Sequence, residues 1–215
     1  MSKIWRLYIL ALITAMAAGM PSVAADEKKV HLVAFGDSLT AGYNLPPGSD
    51  FASQLEAALI KAGYRVRITN AGVSGDTTSG GVTRFDWAIS EDTDAVILEL
   101  GANDALRGIS PAIARKNLET IIEKLKARNI PVLLAGMRAP ANWGADYVKQ
   151  FDMIYPELAA KHNVLLYPFF MAGVIERPEL KLSDALHPNA QGVAEIARRI
   201  LPYVEKLLDQ VQVAD

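Results

Sequence analysis

Five apolar runs of strand length punctuate this chain, and amphipathic stretches of helical period separate them. The runs are Val30–Phe35, Arg65–Thr69, Ala95–Leu100, Val132–Met137 and Val164–Pro168, the last four also rich in Val, Ile and Leu. Such runs suit parallel strands covered on both faces. Helical spacing marks Asp50–Lys61, roughly Gly80–Ile89, Pro111–Ala127 and Ala145–Lys161, and a final helix is predicted over Ala190–Leu208. This alternation predicts an α/β fold: a five-stranded parallel sheet with right-handed crossovers in three α/β/α layers. Local chemistry sets several ends. Ser110 can cap a helix that starts at Pro111, and Asn189 can cap the last one. Gly63 suits a left-handed C-cap, and Pro131 blocks continuation of the preceding helix. Pro202 is expected to kink or split the final helix near Arg199.

The first 25 residues have a different character. Lys3 and Arg6 precede the uncharged, mostly apolar stretch Leu7–Met20, and Ser22-Val23-Ala24-Ala25 supplies small residues. This is the pattern of a secretory signal peptide cleaved after Ala24 or Ala25. An uncleaved anchor would need roughly 20 apolar residues to cross a bilayer, and the stretch is shorter. The expected domain plan is a signal peptide over 1–25 and one domain over 26–215, exported to a bacterial periplasm or secreted.

Cleavage takes two of the 22 basic side chains and none of the 24 acidic ones, leaving a net charge of −4. No basic run stands out, so nucleic acid is not an expected partner. The chain has no cysteine, which excludes disulfides, thiolate metal sites and cysteine nucleophiles. Its three histidines are dispersed, so no metal site is implied.

Four loops are unusually small and polar for their positions: 36–49, 70–79, 101–109 and 183–189. The first three directly follow predicted strands, so all four can meet at one edge of the sheet. Ser38 lies in the first, where it could be a nucleophile, a phosphate-loop residue or a helix cap. A serine nucleophile needs a base. His31 falls on the first strand, and His162 closes a helix as an expected solvated C-terminal cap. His187 is held extended by Pro188, and Asp184 lies three residues earlier, where its carboxylate can orient the ring. Acyl transfer also needs donors for a developing oxyanion. Gly75 can bring a bare N–H close to a substrate, and Asn103 carries an amide donor; each is equally a turn residue by its own chemistry.

Gly36-Asp37-Ser38-Leu39, Asn70 through Gly75-Asp76, Gly101-Ala102-Asn103-Asp104 and Asp184-Ala185-Leu186-His187-Pro188 together resemble the four blocks of the GDSL or SGNH hydrolases. The segments Leu106-Arg107-Gly108, Met137–Gly144 and Tyr167–Met171 resemble its bacterial periplasmic thioesterase–lysophospholipase–arylesterase branch. Ala102 departs from the second glycine common in close relatives. The resemblance implies a flavodoxin-like SGNH hydrolase fold with Ser38, Asp184 and His187 as catalytic residues. It implies an oxyanion hole of the Ser38 and Gly75 N–H groups and the Asn103 side chain. Asp37, Asp76 and Asp104 are expected as loop staples, and Arg107 as a surface ion pair or a contact to an anionic substrate. Substrate contacts are expected from Leu106, Met137, Pro140, Trp143 and Phe169, with the rest of the stretch Met137–Trp143 and Tyr43, Leu45, Pro46, Pro47, Ile109, Phe170 and Met171 also near the serine. The implied substrate is a small acyl ester or thioester, with no cofactor and at most transient contact with membrane lipid. A carbohydrate O-deacetylase would use the same machinery, and a flavodoxin-like phosphate-binding protein is the alternative of another class.

Overall fold

The computed structural model describes residues 29–212, so the predicted signal peptide lies outside the described residues. The strands are β1 (Val30–Gly36), β2 (Val66–Gly72), β3 (Ala95–Glu99), β4 (Val132–Ala135) and β5 (Leu165–Tyr167). They form one sheet in the order β2-β1-β3-β4-β5, with every neighbouring pair parallel. The helices are α1 (Ser38–Ala41), α2 (Phe51–Lys61), α3 (Thr78–Ala88), α4 (Ala102–Leu106), α5 (Pro111–Ala127), α6 (Ala145–Asp152), α7 (Ile154–His162) and α8 (Ala190–Gln212). Helices α2 and α8 pack together on one side of the sheet, while α3, α5 and α7 form the other layer. The middle strands are the driest part of the molecule: Leu32, Val33, Phe35, Val96, Ile97, Leu98, Leu133 and Leu134 have no exposed surface.

Three helical boundaries differ from the sequence expectation. The predicted helix over 145–161 is two helices that meet at Met153. Pro156 explains the break, because it has no N–H to offer the Asp152 carbonyl and is tolerated only in a first helical turn. Helix α3 begins two residues early, where Thr77 caps it by accepting from the Gly80 N–H. Helix α8 continues through Pro202 and ends at Gln212. Ser110 makes no side-chain cap, whereas Asn189 accepts from the N–H groups of Gln191 and Gly192 at 3.0 Å each.

Strand order decides where a site can form. From β1 the chain crosses to β2 on one side, then returns past β1 to β3 on the other. The loops leaving β1 and β3 therefore part at a topological switch point, where open α/β sheets present ligands.

Candidate active site

The strand register levels the carboxyl ends of three strands: Gly36 of β1 lies beside both Gly72 of β2 and Glu99 of β3. Ser38, Gly75 and Asn103 each follow within a few residues, so one short step from a common edge places them all. Ser38 opens α1, and Asp37 caps that helix by accepting the Leu39 N–H at 3.0 Å. Ser38 is buried, with 8% of its surface exposed, at the floor of a cleft.

His187 reaches it from the far end of the chain. Its Nε2 lies 2.9 Å from the Ser38 Oγ, and its Nδ1 lies 2.7 Å from Asp184 Oδ2. A neutral ring that gives its Nδ1–H to the carboxylate leaves Nε2 free to accept the serine proton. The other carboxylate oxygen, Oδ1, accepts the backbone N–H groups of Leu186 at 2.9 Å and His187 at 3.0 Å. Those donors, led by the His187 N–H, hold the Asp184 carboxyl down at about 2, so it is ionised at neutral pH. The turn is made possible by Ala185, which sits at φ 60°. Tyr43 stacks against the ring at 4.5 Å between centroids and limits where it can swing.

Asn103 lines the same cleft as Ser38 and His187. One hydrogen of its amide goes to Asp37 Oδ2 at 3.1 Å, which fixes the side chain and leaves the other hydrogen free. Asp37 has no exposed surface, and burial pushes its carboxyl up to about 6 against the pull of the Leu39 and Asn103 donors. Gly75 sits at φ 82°, in a turn whose carbonyl is held by Arg107 Nη2 at 2.8 Å. Arg107 thus staples the backbone of the Gly75 turn. Asp104 accepts the Thr78 N–H at 2.8 Å and hydroxyl at 2.6 Å, and its carboxyl is raised mainly by burial. Asp76 pairs with Arg84 at 2.6 Å. Both act within the loops, as expected of staples. Arg84 also donates to the carbonyls of Ala71 and Gly36 at 2.8 Å each, tying the ends of β2 and β1 together.

The cleft has a volume of about 610 Å³. Of the expected substrate contacts, Leu106, Met137, Pro140 and Phe169 line it. Trp143 does not: it lies over Gly108 and stacks towards Tyr147 at 5.9 Å, covering a turn instead. Phe170, expected near the serine, has no exposed surface and packs edge-on against Phe51. Met171 does line the cleft, as do Arg138 and Leu186, together with Ile175 and Glu176, which the sequence did not single out. Glu99 was also missed, although a carboxylate closing the run Ala95-Val96-Ile97-Leu98 is itself a signal, since lone acids seldom occupy buried strands.

The remaining histidines stay away from this chemistry. His31 is buried, with Nε2 at 2.8 Å from Thr69 Oγ1. His162 is buried rather than solvated, with Nε2 at 2.7 Å from Glu119 Oε1. Among the described residues, Glu119, Glu123 and His162 are the only acid–histidine cluster that could hold a metal ion, and none of them lines the cleft. No helix of the described residues is long and apolar enough to cross a membrane.

The model of the GDSL-like lipase/acylhydrolase family matches residues 34–194. An arylesterase of Vibrio mimicus is 38% identical over 186 residues, covering 86% of this chain and 93% of its own. The thioesterase 1/protease 1/lysophospholipase L1 of Escherichia coli K12 is 35% identical over 201 residues, covering 93% of this chain and 91% of its own. The crystal structure of AlinE4, an SGNH-hydrolase family esterase, matches with a TM-score of 0.72 at 47% identity, over 86% of this chain and 99% of its own.

Proposed function

We propose, for a chain that belongs to the GDSL-like lipase/acylhydrolase family and is a carboxylic ester hydrolase, that Ser38 is its nucleophile and His187 its general base. The observation that carries this is the continuous path from Ser38 Oγ through His187 to Asp184, at 2.9 and 2.7 Å. Ser38 Oγ attacks the acyl carbonyl carbon while His187 Nε2 takes the hydroxyl proton. Asp184 stabilises the imidazolium that forms. The oxyanion is met by the N–H groups of Ser38 and Gly75 and by the Asn103 amide. As the tetrahedral adduct collapses, His187 returns the proton to the departing alcohol, phenol or thiol. Water then enters by the same base and frees the carboxylic acid from Ser38.

The cleft walls favour an acyl chain of short to medium length or an aryl group over a sugar, because Leu106, Met137, Phe169, Met171 and Ile175 offer few hydrogen-bonding groups. Residues 1–25 are read as an export signal, so the enzyme works outside the cytoplasm on small oxyesters, thioesters and lysophospholipids. The test is steady-state kinetics of mature Ser38→Ala on p-nitrophenyl butyrate and on an octanoyl thioester. The expected loss in kcat is on the order of 10⁶. Wild-type turnover by this variant would refute the assignment.

A further inference from the structure

Glu99 closes β3 with no exposed surface, directly behind the turn that carries Ser38. One oxygen, Oε2, accepts the Thr40 hydroxyl at 2.7 Å and the Asp37 backbone N–H at 3.3 Å. Those two donors bracket Ser38 in the chain. The other oxygen, Oε1, is buried without a hydrogen-bond partner. Room for this carboxyl exists only because residue 36 is glycine: a Cβ there would collide with both Glu99 Oε2 and Thr40 Oγ1.

The groups facing it carry no positive charge. From the β1–α1 turn comes the Asp37 carboxyl, from α1 the Thr40 hydroxyl, and from α7 the Tyr155 phenol, whose own ionisation is opposed mainly by burial. Among the described residues, no Lys, Arg or His pairs with Glu99. Two adjacent buried carboxyls without a cation cannot both ionise cheaply. Of the two, Asp37 has a donor on each oxygen, from Leu39 and Asn103, whereas both donors to Glu99 meet one oxygen and leave Oε1 bare.

We propose that Glu99 is a neutral carboxylic acid and a positioning residue for Ser38, holding the nucleophile's turn from beneath through Thr40 and the Asp37 amide. Burial, and then the Asp37 charge, push its carboxyl well above the ordinary range, in agreement with this state. Its neutrality leaves the single negative charge of the pair on Asp37, which uses it to orient Asn103. The kinetic part of this inference rests on Ser38 as nucleophile; the protonation state does not.

The test therefore has two arms. Infrared difference spectroscopy of the folded enzyme at pH 8 should show the carbonyl stretch of a protonated carboxylic acid, and that band should vanish in Glu99→Gln. In kinetics on p-nitrophenyl butyrate, Glu99→Gln should keep kcat and its pH profile close to wild type, because the amide oxygen can accept from the same two donors. Thr40→Val should lower kcat between about 10- and 100-fold with KM unchanged, the scale of a small displacement of a reacting group. Thr40→Ser should restore it. A missing band at pH 8 overturns the neutral state. A Glu99→Gln variant that fails to fold or loses activity as Thr40→Val does also overturns it, since a neutral isostere must be accommodated. Wild-type kcat in Thr40→Val overturns the positioning role. An active Ser38→Ala would instead remove the nucleophile reading while leaving the infrared result to stand.

Discussion

Replacing Asp37 by asparagine should make the protein more stable and the enzyme slower. Burial lifts the Asp37 carboxyl from 3.8 to about 6 in the fold. At roughly 1.4 kcal/mol per unit, an ionised Asp37 costs the native state about 3 kcal/mol. The sign follows from proton linkage. The folded-state value is raised, so between pH 4 and 6 the native chain holds a proton that the unfolded chain has released. This group's contribution to stability is fully present below the unfolded value and is lost as pH rises to about 6. Asparagine is neutral throughout, so Asp37→Asn should match wild type near pH 4 and exceed it by between about 1 and 3 kcal/mol at pH 8, the lower figure allowing for weaker hydrogen bonds. Activity should move the other way. The oxygen of the introduced amide can still accept from Leu39, but its NH₂ would face the NH₂ of Asn103, which in the native enzyme donates to Asp37 Oδ2. Asn103 must then turn its amide, and an oxyanion donor leaves its position, a loss of up to about 10²–10³ in kcat. Urea unfolding at pH 4 and pH 8, with kcat on an aryl ester, measures both effects. A stability difference that is the same at both pH values would refute the buried-charge argument, and an unchanged kcat would refute the coupling to Asn103.

Asp184→Asn should lower kcat on the order of 10⁴, by presenting the wrong face of the imidazole to Ser38, as burst kinetics would show. The Asp184 carboxyl is held at about 2, so its stabilising effect is present above the unfolded value and disappears as pH falls from about 4 towards 2; acid unfolding of the variant should lack that portion. Arg107→Ala removes an exposed staple on the Gly75 carbonyl and should reduce kcat by up to about tenfold, with melting temperature nearly unchanged. Gly101→Ala should destabilise by about 2–4 kcal/mol, because residue 101 sits at φ 118° and a Cβ there would strike the Tyr155 hydroxyl. Chemical denaturation should show part of that loss recovered in the double variant with Tyr155→Phe.

Element order and the five strands were legible because a buried parallel strand must be apolar on both faces, and Ala95–Leu98 and Val132–Ala135 have little else to offer. What was obscured lay where one residue carried two meanings. Gly80-Gly81 looks like a helix breaker, yet both residues lie inside α3, where Thr77 supplies the cap. The stretch 145–161 keeps helical spacing across the Met153 break, and only the missing N–H of Pro156 betrays it. At the site, Ser38, Asp184 and His187 could be paired by their chemistry because each needs the others. Trp143 had no such constraint. An aromatic near a cleft and an aromatic over a glycine turn look alike until the backbone places Gly108 beneath it. For Glu99 the type of residue was a signal but its partners were not: Glu99 meets Thr40 and the Asp37 amide, and Arg84 meets Asp76 and the carbonyls of Ala71 and Gly36, pairings that sequence spacing does not announce.

Cross-links between the loops also divide the site into two separately anchored halves. Asp37 to Asn103 joins the first loop to the third, and Thr78 to Asp104 joins the second to the third. Arg107 returns from the third loop to Gly75, while Arg84 fastens the ends of β1 and β2 to Asp76. Ser38, the proposed nucleophile, and all three proposed oxyanion donors therefore sit in one cross-linked block on the sheet edge. The His187 segment is tied elsewhere: Leu182 N–H donates to the His187 carbonyl at 2.8 Å, Lys181 bridges Pro188, and Gln54 Nε2 donates to the Ala190 carbonyl at 2.9 Å. Between the halves run the bond from His187 to Ser38 and the Tyr43 stack. A block stapled this way holds the oxyanion donors at fixed geometry, which is what preorganised electrostatic stabilisation requires. His187, the proposed base, is carried on a separately anchored loop, so it could follow the proton from nucleophile to leaving group without disturbing them. Loosening either half should thus give different kinetic signatures: the stapled block governs how well the oxyanion is met, and the Asp184–His187 loop governs proton transfer and its pH dependence.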